Sequence, residues 1–365
     1  MSFKPVRFAN DSKAEFYNEL RARVKAFFEE NNLSTHGNKL MILKTINMMA
    51  IYLVPMVILY MGAFNNVWVM FACWLMMGIG MAGIGMSVMH DANHGSYAKN
   101  EKTNKYIGYL INLVGGCAVN WKIQHNMLHH SFTNVDGLDE DIAPGSMMRF
   151  SPHQPAKKFH RYQHIYAWFF YSLLTLLWIT SKDFKQLYGY KKNGLLKTQV
   201  RKPFWKVLMK LILTKSAYYL ITLVGPMVFL PFAWWISLLG FLAMHLLAGL
   251  ILSTIFQSAH VMPDSNYPLP NENGKVDDNW ALHQLANTTN FAPKSRLLSW
   301  YVGGLNFQIE HHLFQNISHV YYKQISKIVE ATAKEFGVKY NVEPTFVKAI
   351  SSHARMLKTL GRDEF

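Results

Sequence analysis

The chain reads as an all-α integral membrane protein: four transmembrane helices in two hairpins, with a cytoplasmic helical cap that holds a histidine-rich, two-metal site. Three observations predict this. Half of the residues are hydrophobic and only 16% are charged, below the roughly 25% usual in soluble domains. Long stretches without formal charge come in pairs, each pair joined by a short turn. Three histidine clusters lie beside apolar segments: His90-Asp-Ala-Asn-His94, His125-Asn-Met-Leu-His129-His130 and Gln308-Ile-Glu-His311-His312.

Charge and cysteine content narrow the classes further. The net charge of +15 suits anionic lipid or an acidic partner. No nucleic-acid-binding motif accompanies it, so a nucleic-acid partner is set aside. Two cysteines, Cys73 and Cys117, are too few for a disulfide framework or a thiolate metal site. Cys73 sits in an apolar run and reads as a small buried hydrophobe. The first forty residues are polar and lack the apolar core of a cleavable signal peptide, so internal spans are expected to direct insertion.

In chain order, residues 1–40 are expected to be an N-terminal cytoplasmic segment with a helix over 12–30. Ser12 and Glu15 match a capping box, and Phe16, Leu20, Val24 and Phe27 recur at helical spacing. Lys13, Arg21, Arg23 and Lys25 flank that stripe, which fits a membrane surface or packing against the rest of the chain equally. The membrane region spans 41–330. Its first two spans are expected at about 45–64, with Pro55 a tolerated kink, and 67–89. Only Asn65 and Asn66 separate them, which makes a tight hairpin. Gly78-Ile-Gly-Met-Ala-Gly83 matches a dinucleotide-binding glycine pattern, but no strand precedes it, so close helix packing explains it better. The apolar run 107–119 is too short to cross and is expected to be re-entrant or buried. That keeps the first two histidine clusters on one side. Residues 166–180 are apolar but few, which predicts an in-plane helix.

Ten basic residues lie between Lys182 and Lys215, and then Ser216 to Ala259 carries no formal charge apart from His245. At about 1.5 Å per residue that run is about twice the hydrocarbon thickness. It divides near Pro226–Pro231 into spans at about 216–231 and 234–256. Neither short turn contains Lys or Arg, whereas the flanking segments are full of them. The positive-inside rule therefore places both termini and all three clusters in the cytoplasm. A Pro/Asn/Asp-rich loop leads to Asp278. Two amphipathic helices are predicted over 318–336 and 344–360, with Gly337 and Gly361 as stops and Pro344 opening the second. The cytoplasmic helical tail, 331–365, is expected to cap the site.

Eight imidazoles are candidate ligands: His90, His94, His125, His129, His130, His260, His311 and His312. Residues four apart share a helix face, so His125 and His129 are expected at one metal and His130, about 100° round, at a neighbouring one. His311 and His312 diverge in the same way. Eight ligands exceed one zinc site, so two metals are implied; imidazole suits iron, copper, nickel and zinc alike. Gln308 shares the face of His311 and is placed either to ligate or to hydrogen-bond. Asp91, Asn93, Glu310 and His283 are expected as partners that hold the ligands, with a purely structural role also open for His283. The acidic stretch Asp136, Asp139, Glu140 and Asp141 fits a solvated loop or supporting carboxylates equally. His245, in mid-span, is a functional candidate by position, but no partner motif surrounds it, and it reads as a neutral core histidine.

In order, spacing and position relative to the spans, the three clusters resemble the histidine boxes of the integral-membrane fatty acid desaturases. Gln-Ser-Ala-His260 resembles that family's additional histidine. The resemblance covers about residues 40 to 330. It implies a di-iron centre, O2 as co-substrate, two electrons from an outside donor, and a fatty acyl chain that gains a cis double bond. Gln308, with Gly303-Gly-Leu-Asn306 before it, is similar to the front-end group, which acts between an existing double bond and the carboxyl end. Many members of that group carry a fused cytochrome b5 domain with a His-Pro-Gly-Gly motif. That motif does not occur here, so a separate soluble carrier of ferredoxin or cytochrome b5 type is expected. It would dock on the basic run Lys182–Lys215, which equally suits anionic membrane lipids. A hydroxylase or ketolase of the same superfamily would share the boxes. A metal transporter would place ligands near the midplane, where only His245 lies.

Overall fold

The computed structural model describes residues 6–9, 14–62 and 65–365. The expected capping box falls on Ser12, outside the described residues. Among the described residues, four helices are long and apolar enough to cross a membrane: α2 (Lys39–Tyr60), α3 (Val67–His94), α8 (Phe204–Phe229) and α9 (Trp234–His260). Between and around them lie α1 (Ala14–Glu30), α4 (Glu101–Gly108), α5 (Ala118–Trp121 running into Lys122–His129), α6 (Gln163–Ser172), α7 (Asp183–Lys192), α10 (Trp280–Ala286), α11 (Gln308–Leu313), α12 (Tyr322–Glu335) and α13 (Phe346–Arg362). Two parallel pairs of two-residue strands, Arg7–Phe8 with Lys275–Val276 and Asn290–Phe291 with Val342–Glu343, tie distant loops together.

Asparagine caps define the first hairpin. The Asn38 side chain accepts from Leu40 N and that of Asn66 from Trp68 N, both at 2.9 Å, satisfying amides that a helix start leaves free. Of the four long helices, α3 and α9 are central, with 56% of their most apolar stretches buried in the protein against 28% for α2 and α8. The glycines of α3 permit this. A Cβ on Gly80 would lie 2.7 Å from Tyr52 N in α2, and one on Gly78 would lie 2.7 Å from Met244 O in α9. Close packing therefore accounts for the glycine pattern, which lies within a helix that follows another helix rather than after a strand.

Two helix starts differ from the sequence expectation, for one reason. The sequence bounds the first and third spans by their last lysines, yet α2 begins at Lys39 and α8 at Phe204. Lys44 is buried, with Nζ 2.7 Å from His319 Nε2. Lys215 is buried too, donating to Gly115 O, Trp178 O and Asp183 Oδ2 at 2.7–2.9 Å. A paired cation does not mark a helix end, because its charge is met inside the protein. Lys215 thus leaves the exposed basic run.

The rest of the chain packs around these helices. Gly115, at φ +90°, lies against Ile179 and Tyr218, so the apolar run near 107–119 is folded into short turns and tucked inward. The stretch over 166–180 lies along α9, where Thr175 Oγ1 donates to His245 O and Ser253 Oγ to Tyr171 O. Helix α1 buries Phe16, Leu20, Val24 and Phe28 against Ile325, Val329 and Ala333 of α12. Packing wins over a free amphipathic surface, and the stripe ends on Phe28 rather than Phe27. Gly337 closes the α12 segment at φ +61°. Gly361 is no stop. It lies inside α13, where a Cβ would clash with His160 O, and the left-handed Asp363 ends the helix.

Candidate metal centre

The three boxes and His260 come together where α3 and α9 end. His90 and His94 occupy the last turns of α3, after a π turn over Ile84–Val88. That turn holds one extra residue and rotates the helix beyond it. Gly303 and Gly304, both at positive φ, bring the third box against it, and a Cβ on Gly303 would lie 2.5 Å from Ser87 Cα. Only glycine allows so close an approach.

The second box lies in a π-helical stretch, Lys122–His129, and this alters the expected division of ligands. His130 N bonds His125 O, five residues back, and the two Nε2 atoms stand 3.1 Å apart. His125 joins His90, His94 and His311, with one ring nitrogen of each within 4.8 Å of the others. His129 joins His260 and His312 in a second set of the same tightness. So His125 and His129, expected at one metal, belong mainly to different sets, although both also lie within reach of Asp141. His130, with His311 and His312, bridges the sets. His311 and His312 diverge as their adjacency predicts.

Each set is held from behind. The ring Nδ1–H of His129 faces Asp139 at 3.1 Å, that of His312 faces Gln284 Oε1 at 2.7 Å, and that of His260 faces Asn287 O at 3.1 Å. His311 Nδ1 pairs with the Tyr322 hydroxyl at 3.1 Å. Such bonds fix tautomer and ring orientation, leaving Nε2 for a metal. The Nε2 atoms of His311 and His312 are buried with no hydrogen-bond partner among the described residues. Burial, helped by neighbouring imidazoles, pushes His125, His130, His311 and His312 well below the usual histidine range. They are neutral near pH 7, the state that offers a lone pair. His129 differs: burial lowers it, but Asp139 and then Asp141 outweigh that and raise it to about 8. The Trp121 ring closes one side, 4.4 Å from His125 and 5.4 Å from His90. Two adjacent, buried, nitrogen-rich sets fit a pair of transition-metal ions.

Other expected partners lie elsewhere. Asp91 accepts from Ser318 Oγ at 2.8 Å and pairs with His319 Nδ1 at 2.9 Å. Asn93 donates to Met89 Sδ and Gly108 O. Glu310 accepts from Asn290 and Tyr340, and its burial lifts its pKa to about 7. None of the three bonds a histidine of the two sets. The reason is helical: a residue adjacent to a ligand points off the ligand face. Gln308 Nε2 donates to Leu305 O at 2.7 Å. His283 packs at a tilt against the Phe8 ring, 4.9 Å between centres, and bonds Asn287, one step behind His260. Deep in the helices, His245 is satisfied by Tyr218 OH at 2.9 Å and Thr175 Oγ1 at 3.0 Å, as a core histidine should be. The acidic stretch offered a signal for Asp139; Gln284, Asn287 and Tyr322 had none, since their roles depend on long-range contacts.

The family model for fatty acid desaturase matches residues 66–344. An acyl-lipid (8-3)-desaturase of Physcomitrium patens is 36% identical over 99% of this chain and 74% of its own length. Two sn-1 linoleoyl-lipid 6-desaturases are similar throughout. That of Arthrospira platensis is 31% identical over 94% of this chain and 92% of its own. That of Synechocystis is 32% identical over 96% of each. With the family match running from the first hairpin to beyond the third histidine box, the chain belongs to the fatty acid desaturase family of oxidoreductases.

Proposed function

We propose that this chain is a multi-pass membrane desaturase that inserts a cis double bond into a fatty acyl chain, on the carboxyl side of an existing double bond. It uses two irons, O2 and two electrons from a soluble carrier of ferredoxin or cytochrome b5 type. The observation that carries the reading is the pair of adjacent imidazole sets at the ends of α3 and α9. The relatives named as 6-desaturases and (8-3)-desaturases of acyl lipids support the substrate class and the front-end position.

His90, His94, His125 and His311 would hold one ion, His129, His260 and His312 the other, with His130 between them. Bound iron supplies activation of O2 for attack on unactivated C–H bonds. The chain's own residues supply the frame. Asp139, Gln284, Asn287 and Tyr322 lock the imidazoles in place, and Trp121 shields the first set. The charge bias of the loops supports a site and both termini on the cytoplasmic side.

Expression in a host that supplies linoleoyl lipids, followed by gas chromatography–mass spectrometry of its fatty acids, tests the reading. A new species with an added double bond nearer the carboxyl end is expected, and the purified protein should carry iron in both sets. A hydroxylated or keto product, or zinc as the sole bound metal after anaerobic purification, would overturn it.

A further inference from the structure

Just before the third box, the short helix Arg296–Tyr301 carries apolar side chains on two opposite faces. Leu298 and Tyr301, three residues apart, pack inward against the core that α2 and α3 build. Leu297 and Trp300, also three apart, point outward and are 78% and 38% exposed. The hydroxyl of Ser299 donates to Ser295 O at 2.8 Å and accepts from Asn306 Nδ2 at 3.0 Å, so this polar atom is satisfied within the protein. A helix that is apolar all round belongs in a protein core or in lipid, and one face of this helix lies outside the core.

Its depth is set by α3. The Tyr301 hydroxyl donates to Ile79 O at 2.9 Å, and a Cβ on Gly83 would lie 3.3 Å from the Tyr301 ring. Ile79 stands about 18 Å along α3 from Val67, at about 1.5 Å per residue. A bilayer's hydrocarbon core is about 30 Å thick, so a helix that crosses from Val67 holds the Tyr301 hydroxyl well inside it. Trp300 sits at a matching level on α2. Its ring centre lies 5.8 Å from Nζ of Lys44, which is buried just beyond the first turn of that helix. Leu40, Leu43 and Ile46 of α2 are exposed on either side of Lys44 in the chain. Through the Trp300–Lys44 contact, the outward face of the short helix continues that apolar surface. Lys294 and Arg296, exposed at its start, have side chains long enough to reach headgroups from there.

We propose that residues 296–302 lie within the bilayer leaflet on the metal-centre side, with Leu297 and Trp300 covered by lipid acyl chains, and that this anchorage holds the third box in place. The connection is direct. Gly303 follows at once and seats against Ser87 of α3, and the helix that carries His311 and His312 begins soon after, at Gln308. The inference rests on the membrane-spanning part of the desaturase reading and adds a lipid contact outside the four long helices.

The test places a nitroxide spin label on single cysteines in a protein with Cys73→Ala and Cys117→Ala, reconstituted into phosphatidylcholine vesicles. Power saturation compares collisions with O2, which concentrates in lipid, and with a water-soluble nickel chelate. Val54→Cys, exposed within α2, is the lipid standard, and Lys327→Cys, exposed on α12, is the water standard. Leu297→Cys should behave as Val54→Cys does, with O2 the stronger relaxant. Behaviour like that of Lys327→Cys would overturn the inference. Protection from both agents would also overturn it, since a second copy or a protein partner would then cover this face. Water exposure at Val54 as well would bring down the spanning reading and the inference with it. A second measurement reads the link to the metal centre. Leu297 is largely free of protein contact, so Leu297→Glu would be neutral on a wetted surface. In lipid its carboxylate draws the helix toward water. In vesicles that variant should release metal at a lower chelator concentration than wild type, while Leu297→Met should match wild type. Equal release by Leu297→Glu and wild type would overturn the anchoring role.

Discussion

At the scale of single residues, the histidines divide by what their ring nitrogens meet. Those of the two sets present buried nitrogens to one another, whereas His245 is closed off by Tyr218 and Thr175. His129→Ala should therefore abolish turnover while the protein still folds and inserts, and His245→Ala should keep most of its activity; product yield and size-exclusion behaviour read out both. If the two variants lose activity alike, the division is wrong. Asp139 acts through His129, its carboxylate 3.1 Å from Nδ1. Removing such a partner costs about 10- to 100-fold in metal affinity. Asp139→Asn should accordingly lose metal from the second set first, seen by titrating a chelator against metal content, with the metal at His90, His94, His125 and His311 retained longer.

At the scale of elements, pairs of buried groups fasten the helices to the site. Lys215 of α8 reaches Asp183 at the head of α7, and Asn120 beside the second box donates to the same Asp183. Breaking one side of a buried pair costs about 3–5 kcal/mol, whereas replacing both with well-packed apolar groups is often close to neutral. Lys215→Met alone should sharply lower thermal stability in detergent, and Lys215→Met with Asp183→Leu should recover much of it. A double variant no better than the single one would show that the pair does more than neutralise charge. Gly303 is the second fastening, at φ +63° against the backbone of Ser87. Gly303→Ala adds left-handed strain of roughly 1–3 kcal/mol to a steric clash. It should impair metal loading of His311 and His312 before it unfolds the long helices, measurable as iron content against helical circular dichroism.

For the whole molecule, topology and site are one question. Box one ends α3 and His260 ends α9, so the two hairpins must enter the membrane from the same side for the sets to form. The proposed orientation, with both termini cytoplasmic, predicts that a cysteine replacing Asn65 in a background without Cys73 and Cys117 reacts with an impermeant maleimide from outside intact cells. Labelling that appears only after permeabilisation would reverse the orientation.

The sequence by itself determined the class. Uncharged runs, their short turns and the three boxes define four helices and eight clustered imidazoles, because bilayer thickness and helical spacing are local rules. Tertiary structure decided what local rules cannot reach. The π stretch Lys122–His129 redistributed His125, His129 and His130 between two sets, and such a backbone insertion leaves the spacing of letters unchanged. Lys44 and Lys215, which look like interfacial charges, became interior groups because His319 and Asp183, distant in sequence, met them. Asp91 and Asn93 lie between two ligands in the sequence yet turn away from them, while Asp139, Gln284, Asn287 and Tyr322 arrive from separate elements to hold the rings. A hydrogen bond requires proximity in space, and only the packed chain sets that proximity.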